Sequence, residues 1–234
     1  MKHIFTKDAL AGIDIFQHLT EEQIDVLCTQ IKKVHYKKNT EIYTLGVTPE
    51  FVYIIEKGSV KLGITALNGK SLTKEIVYDN DIFGENIFTN NPQTQEVAEA
   101  MTDSVLLAIP VHIFRQLAVK NVIFANQVMS LILYKLQDIE TRLQNFVFCK
   151  AKERIVDYLF RSGQRRGIKI GFKECLITHG ITHKEIAYLT DTSRQTVARI
   201  MNELKRANFI HYESRKSSKI LIRDMVLLQN YRED

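Results

Sequence analysis

The spacing of apolar residues changes three times along the chain. Between residues 8 and 33 they fall into short helical sets: Leu10, Ile13, Ile15, Phe16 and Leu19, then Ile24, Leu27, Cys28 and Ile31. Thr20 ahead of Glu21, Glu22 and Gln23 predicts a helix start, because its hydroxyl can accept a free first-turn amide and acidic side chains favour that end of the helix dipole. From Val34 to Ile109 the runs become short and rich in Ile, Val, Tyr and Phe, as in Phe51 to Ile55, Val60 to Ile64 and Val105 to Ile109. Lys57-Gly58, Asn68-Gly69, Asp79-Asn80-Asp81 and Asn90-Asn91-Pro92 punctuate them as turns. Asn68-Gly69 predicts a type I′ hairpin, since both residues tolerate positive φ. Many short strands with no helices between them predict an antiparallel barrel or roll.

Beyond Pro110 a helical segment runs to Phe146, with a break expected near Lys120-Asn121. Val122, Ala125, Met129, Ile132, Leu136, Ile139, Leu143 and Phe146 recur at alternating three- and four-residue steps, a heptad seam. A straight surface helix drifts off so strict a repeat. The seam therefore predicts pairing with the same helix of a second copy; the alternative is a helix buried against its own barrel. Val128, Leu131, Leu133 and Tyr134 lie off the seam and are expected to pack on that barrel. From Lys150 the chain is helical again, with Ile155, Val156, Leu159 and Phe160 on one face. Ser162 to Gly167 reads as a basic, glycine-containing loop, and Ile168, Ile170 and Phe172 as a short strand.

Thr182-His183-Lys184-Glu185 has the form of a capping box, in which hydroxyl and carboxylate satisfy each other's backbone amides. Ile186, Ala187 and Leu189 give that helix its apolar face. After the polar turn Thr190-Asp191-Thr192 a second helix begins, capped by Thr192 with Gln195 or by Ser193 itself. Val197, Ile200, Met201 and Leu204 line its inner side, leaving Ser193, Arg194, Gln195, Thr196 and Arg199 outward or near its start. Such a helix fits the major groove of B-DNA. Arg194, Gln195 and Arg199 are candidates for base edges, since arginine can donate twice to guanine and an amide can pair with adenine. Thr182, Ser193 and Thr196 are candidates for phosphate contacts. Phe209 to Tyr212 and Ile220 to Ile222 read as two strands of a wing whose turn carries Arg215, Lys216 and Lys219. Met225 to Leu228 reads as a closing helix.

Charge agrees with this division. Residues 1–146 hold 14 Lys/Arg and 17 Asp/Glu, net −3, whereas residues 147–234 hold 18 and 10, net +8. A basic C-terminal part suits phosphate-backbone binding, which is driven by counterion release. The 234 residues are 45% hydrophobic and 25% charged, a globular profile, and no apolar run reaches the roughly 18 residues of a membrane span. Three cysteines with no close spacing, Cys28, Cys149 and Cys175, argue against a disulfide framework or a metal cluster and for a reducing, cytoplasmic setting.

The combination resembles the CRP/FNR-type transcription regulators, the superfamily of the cyclic-AMP receptor and the fumarate-nitrate regulator, over roughly residues 8 to 228. The segment Ile181 to Ala187, continued through Thr192 to Ile200, is similar to the family's winged helix-turn-helix signature. Val52 to Lys61 followed by Asp81-Ile82-Phe83-Gly84-Glu85 resembles its jelly-roll sensor domain. The resemblance implies an α+β chain: an N-terminal double-stranded β-helix of the cyclic-nucleotide-binding type over residues 1–118, a long dimerisation helix over 119–147 and a C-terminal winged helix-turn-helix over 148–234. It implies a homodimer on a palindromic promoter site, in contact with RNA polymerase. Gln195 stands where family members often carry Glu, so the preferred half-site is expected to differ.

The sensor departs further. Gly84 and Glu85 match the family's ribose-contacting pair, but Gln93-Thr94 replaces the Arg-Ser pair that holds the cyclic phosphate, so no cation is at hand there. The adenine-facing Thr-Ser pair corresponds to Ile139-Glu140, beside Leu136. Cyclic AMP is therefore not the expected effector; the alternatives are another small molecule, or no ligand at all with the fold kept as a dimer scaffold, and the effector and any cofactor stay unassigned. The cysteines do not supply the iron–sulfur ligands of the oxygen-sensing branch. His3, His18, His35 and His112 form no haem motif. Two rivals remain at this stage: a nucleotide-binding module that does not touch DNA, and a cupin-type enzyme, which His35 without a second nearby histidine supports poorly.

Overall fold

A computed structural model describes residues 10, 12–65, 71–89, 93–178, 182–212 and 219–231. The chain forms two units, residues 1–137 and 138–234. In the first, β1 (Lys32–Tyr36), β3 (Phe51–Lys57), β6 (Ile82–Phe83) and β8 (Ser104–Pro110) form a four-stranded sheet in the order β1-β8-β3-β6. A second sheet holds β2 (Glu41–Tyr43), β4 (Ser59–Thr65), β5 (Ser71–Tyr78) and β7 (Val97–Ala100) in the order β2-β7-β4-β5. Every pairing between these strands is antiparallel. This is the roll expected from the sequence. Strands β4 and β5 pair from Ser59↔Tyr78 to Thr65↔Ser71, and the Asn68-Gly69 turn between them lies outside the described residues.

The continuous apolar runs have a simple cause. Val52 and Ile54 of β3, with Leu107 and Ile109 of β8, belong to a core shared with helical segments, including Phe16, Leu27, Phe114 and Phe124. The alternate residues Tyr53, Ile55, Leu106 and Ala108 belong to the roll interior with Val60, Leu62 and Phe83. A strand covered on both faces loses its polar alternation.

Helix α1 (Glu21–Gln30) begins with the Thr20 capping box: Gln23 N donates to Thr20 Oγ1 at 3.3 Å and Thr20 N to Gln23 Oε1 at 3.0 Å. Helices α2 (Val111–Lys120) and α3 (Val122–Phe148) meet at 117°. The bend falls at Asn121, whose Oδ1 accepts Phe124 N and whose Nδ2 donates to His18 O and Gln23 Oε1. Among the described residues no single helix is long and apolar enough to cross a membrane.

The inward stripe of early α3 differs from the expected one. Phe124 and Val128 are buried and Leu131 packs against the same core, but Leu133 and Tyr134 are exposed. Counting four, three and four residues from Phe124 gives Val128, Leu131 and Lys135. The stripe therefore continues through a buried lysine, not through the apolar pair beside it.

The second unit holds the end of α3, α4 (Ala151–Arg166), α5 (His183–Leu189), α6 (Arg194–Arg206) and α7 (Met225–Asn230). Its sheet has the order β11-β12-β10-β9, from β9 (Ile168–Lys169), β10 (Cys175–Ile177), β11 (Ile210–His211) and β12 (Ile220–Ile222). The wing strands are thus half of a four-stranded sheet, and β10 escaped the sequence reading. Ser162 to Gly167 is not a loop: α4 runs through to Arg166. Gly163 is there for close packing, since a Cβ would lie 3.0 Å from Met225 Sδ and 3.1 Å from Ile222 Cδ1. Ile168 is in the short β9, but Ile170 and Phe172 are outside any strand and exposed.

Candidate nucleic-acid interface

Helix α5 starts at Thr182, whose Oγ1 accepts Glu185 N at 3.2 Å while the Glu185 carboxylate accepts Thr182 N. Burial of Ile186 and Ala187 fixes its orientation. Between α5 and α6 the turn is closed by Thr190 Oγ1 donating to Ile186 O at 2.7 Å and by Thr192 N donating to Ala187 O at 3.1 Å. Asp191 takes φ +49, the left-handed region that Asp tolerates better than most residues. Ser193, not Thr192, caps α6: its Oγ accepts Thr196 N at 3.0 Å and lies 2.9 Å from Thr196 Oγ1.

Val197, Ile200, Met201 and Leu204 are buried beneath α6. That burial turns Ser193, Arg194, Gln195 and Arg199 outward, with Thr196 half-buried at their side. Arg199 is 70% exposed and lies only 3.8 Å from Glu203, a loose contact that leaves its guanidinium free to reorient. Lys219 is exposed just before β12. Arg215 and Lys216 lie outside the described residues. His183 has a pKa below its ordinary value because burial, and then the charge of Arg194, disfavour its cation.

Two arginines hold the turn from behind. Arg142 of α3 forms a fork on Asp191, with Nε to Oδ2 at 3.1 Å and Nη2 to Oδ1 at 2.8 Å, and also donates to Tyr188 O at 2.8 Å. Arg154 of α4 donates to Thr190 O, Asp191 O and Cys149 O. Neither contact follows a local pattern: Arg142 and Asp191 are 49 residues apart, and Arg154 and Thr190 are 36 apart.

The seam residues Val122, Met129, Ile132, Leu136, Ile139, Leu143 and Phe146 are exposed in the single chain, Leu143 by 63%, and Ala125 is half-buried.

The sensor candidates have different local surroundings. Gly84 takes φ +88, and a Cβ there would come 3.2 Å from Phe51 O, so glycine suits both the turn and the close approach. Glu85 follows in a 3-10 turn and meets a cation after all: Lys135 Nζ lies 2.9 Å from Glu85 Oε1 and 3.3 Å from Glu75 Oε2, and donates to Ile82 O at 2.9 Å. Burial alone would lower the lysine's pKa, but Glu85 and Glu75 outweigh it and hold Lys135 firmly charged. This cation comes from α3, 53 residues beyond Ile82, is already paired, and lies at Glu85 rather than at the Gln93-Thr94 pair. Thr94 is buried and ties a loop, its hydroxyl donating to Thr44 O at 2.5 Å and accepting Val47 N at 3.1 Å, while Gln93 is exposed. Leu136, Ile139 and Glu140 are all exposed, the last two in the second unit.

Comparison with known proteins divides the chain in the same sense. The family model of the cyclic nucleotide-binding domain matches residues 33–121, and that of the Crp-like helix-turn-helix domain matches residues 153–231. The CRP-like cAMP-activated global transcriptional regulator of Mycobacterium tuberculosis is 26% identical over 218 residues, 93% of this chain and 95% of its own. The anaerobic regulatory protein of Bacillus subtilis is 24% identical over 187 residues, 80% of this chain and 77% of its own. The structure of FixK2 from Bradyrhizobium japonicum shares the fold at a TM-score of 0.74 and 20% identity, covering 86% of this chain and 96% of that one.

Proposed function

The chain belongs to the CRP/FNR-type superfamily of transcription regulators, and on that premise we propose that it acts in the cytoplasm as a homodimer on a palindromic promoter site. The observation that carries the reading is the outward N-terminal face of α6, where a built cap leaves Arg194, Gln195 and Arg199 exposed over a buried apolar side. Arg194, Gln195 and Arg199 read base edges; Thr182, Ser193 and Thr196 grip phosphates, as do Arg215, Lys216 and Lys219 from the wing. The exposed seam of α3 joins two copies, which present their reader helices to successive major grooves about 34 Å apart. RNA polymerase is the expected further partner.

Cyclic AMP is not the effector in this reading. A cyclic phosphate needs a cation or several N–H donors when buried. Beside Gly84 and Glu85 the cation is Lys135, which two carboxylates already claim, leaving that trio with a net negative charge. Relatives of nearly equal identity carry names for different signals, cAMP activation in one and anaerobic regulation in the other, so relatedness does not choose among them.

Duplexes selected from a random pool test the reading. The wild type is expected to bind them tightly, with affinity falling steeply as salt rises. Arg199→Ala is expected to cost about 1–3 kcal/mol and relax preference at one base position. Leu143→Glu, which sets a charge in the seam, is expected to yield monomers by sedimentation. Adding cyclic AMP is expected to leave DNA affinity unchanged. A salt-independent wild type, or a mutant with full affinity and preference, refutes the corresponding role.

A further inference from the structure

The turn that launches the reader helix is held by the helix that carries the seam. Arg142 lies one residue before Leu143 and one helical turn from both Ile139 and Phe146, all three exposed seam residues. Its guanidinium forks onto Asp191 and reaches Tyr188 O. Both partners are mostly shielded, at 15% and 24% side-chain exposure, and Ser193, the cap of α6, follows two residues later. Arg154 holds the same turn through backbone carbonyls at Thr190 and Asp191.

The rest of that face of α3 is fastened as well. Arg161 of α4 bridges Asp138 at 2.6 Å and Asp157 at 2.8 Å, and Asn145 Nδ2 donates to Asp157 at 2.6 Å. Asp138, Arg142 and Asn145 follow one another at four and three residues, so one face of late α3 is bonded to α4 and the turn while the adjacent face stays apolar and exposed. Of the three, only Arg142 reaches the turn before the reader helix. A planar fork constrains both separation and rotation, which a lysine at the same place cannot do.

We propose that Arg142 is a positioning residue that locks the reader helix to the seam-bearing turns of α3, so that the way two seams meet sets the spacing and pitch of the two reader helices. The proposal rests on the DNA-binding homodimer described above. Arg142 itself touches no DNA. Its loss leaves each reader helix able to dock alone but frees the pair to adopt many mutual orientations, of which only a fraction match the site.

The test uses the full chain, a duplex selected by the wild type, the same duplex with its half-sites moved one base pair closer or farther apart, and a duplex with one half-site. Arg142→Met is expected to remain dimeric by sedimentation and to bind the single half-site within about two-fold of wild type, yet to lose roughly ten-fold or more on the full site. Its preference for the original spacing is expected to flatten. Arg142→Lys follows in the same direction, and adding Asp191→Asn to Arg142→Met adds little further loss. In protein without DNA, hydrogen exchange at the amides of residues 192–196 is expected to quicken in Arg142→Met.

Unchanged spacing preference with unchanged exchange overturns the proposal. So does an equal loss on full site and half-site, which would make Arg142 a support for the reader alone. If the wild type shows no preference for any selected duplex, the DNA-binding reading falls. The exchange arm still decides in that case: quickened exchange upholds the hold of Arg142 on the turn, and unchanged exchange removes it.

Discussion

One helix sends a shielded cation into each unit, and the two are put to different use. In the roll unit Lys135 is enclosed by Glu75, Glu85 and a backbone carbonyl, so the charges there satisfy one another inside the fold. In the second unit Arg142, Arg154 and Arg161 are spent on the scaffold, while Arg194, Arg199 and Lys219 are left outside. The net charges of −3 and +8 do not by themselves reveal this. What separates the enclosed cations from the displayed ones is close, shielded pairing: Arg142 sits 2.8 Å from Asp191 at 15% exposure, whereas Arg199 is 70% exposed and 3.8 Å from Glu203. At the Lys135 cluster the roll closes its ionic groups upon themselves; on the face of α6 the second unit displays them.

The sharpest way to break that contrast is to remove the closure. Lys135→Met leaves Glu75 and Glu85 facing one another, and is expected to destabilise the roll unit by about 3–5 kcal/mol in urea denaturation, with part of the loss recovered when Glu75→Gln and Glu85→Gln are added. An unchanged midpoint would mean that the cluster is not closed in solution. On the other side of the comparison, Ser193→Ala removes the cap beneath the displayed side chains and is expected to cost about 1 kcal/mol of reader-unit stability in the same measurement. The smallest effect concerns His183. Its folded pKa lies below 6.5, so on acidification the unfolded chain takes up the proton first and stability falls as pH drops through 6.5. Melting scans on both sides of that pH are expected to show a shallower fall for His183→Gln than for wild type.

The two units also differed in how much of them the sequence exposed. The reader is built from local rules: a hydroxyl and a carboxylate three residues apart at Thr182 and Glu185, a short polar turn, and an apolar stripe from Val197 to Leu204. The break at Asn121 was equally local. Only the choice between Thr192 and Ser193 as cap needed backbone geometry. The ionic cluster of the roll depends on residues far apart in sequence, Glu75, Glu85 and Lys135, that meet only when α3 packs on the roll. A reading by apolar periodicity registers Lys135 as a gap in the stripe, and so passes the stripe to Leu133 and Tyr134, which face solvent. Gly163 misled for a related reason: glycine in a basic stretch suggests a loop, whereas here it makes room for Met225 and Ile222 within a helix. Strand β10, at three residues, is too short for its alternation to stand out.

The Lys135 cluster also bears on how this protein can diverge. Because one ammonium answers two carboxylates and a carbonyl, exchanging any single member strands the others away from water. A descendant that replaced this cluster would have to alter positions 75, 85 and 135 almost together, or pass through an ancestor that folds poorly. Single-residue routes through this part of the roll are therefore expected to be costly.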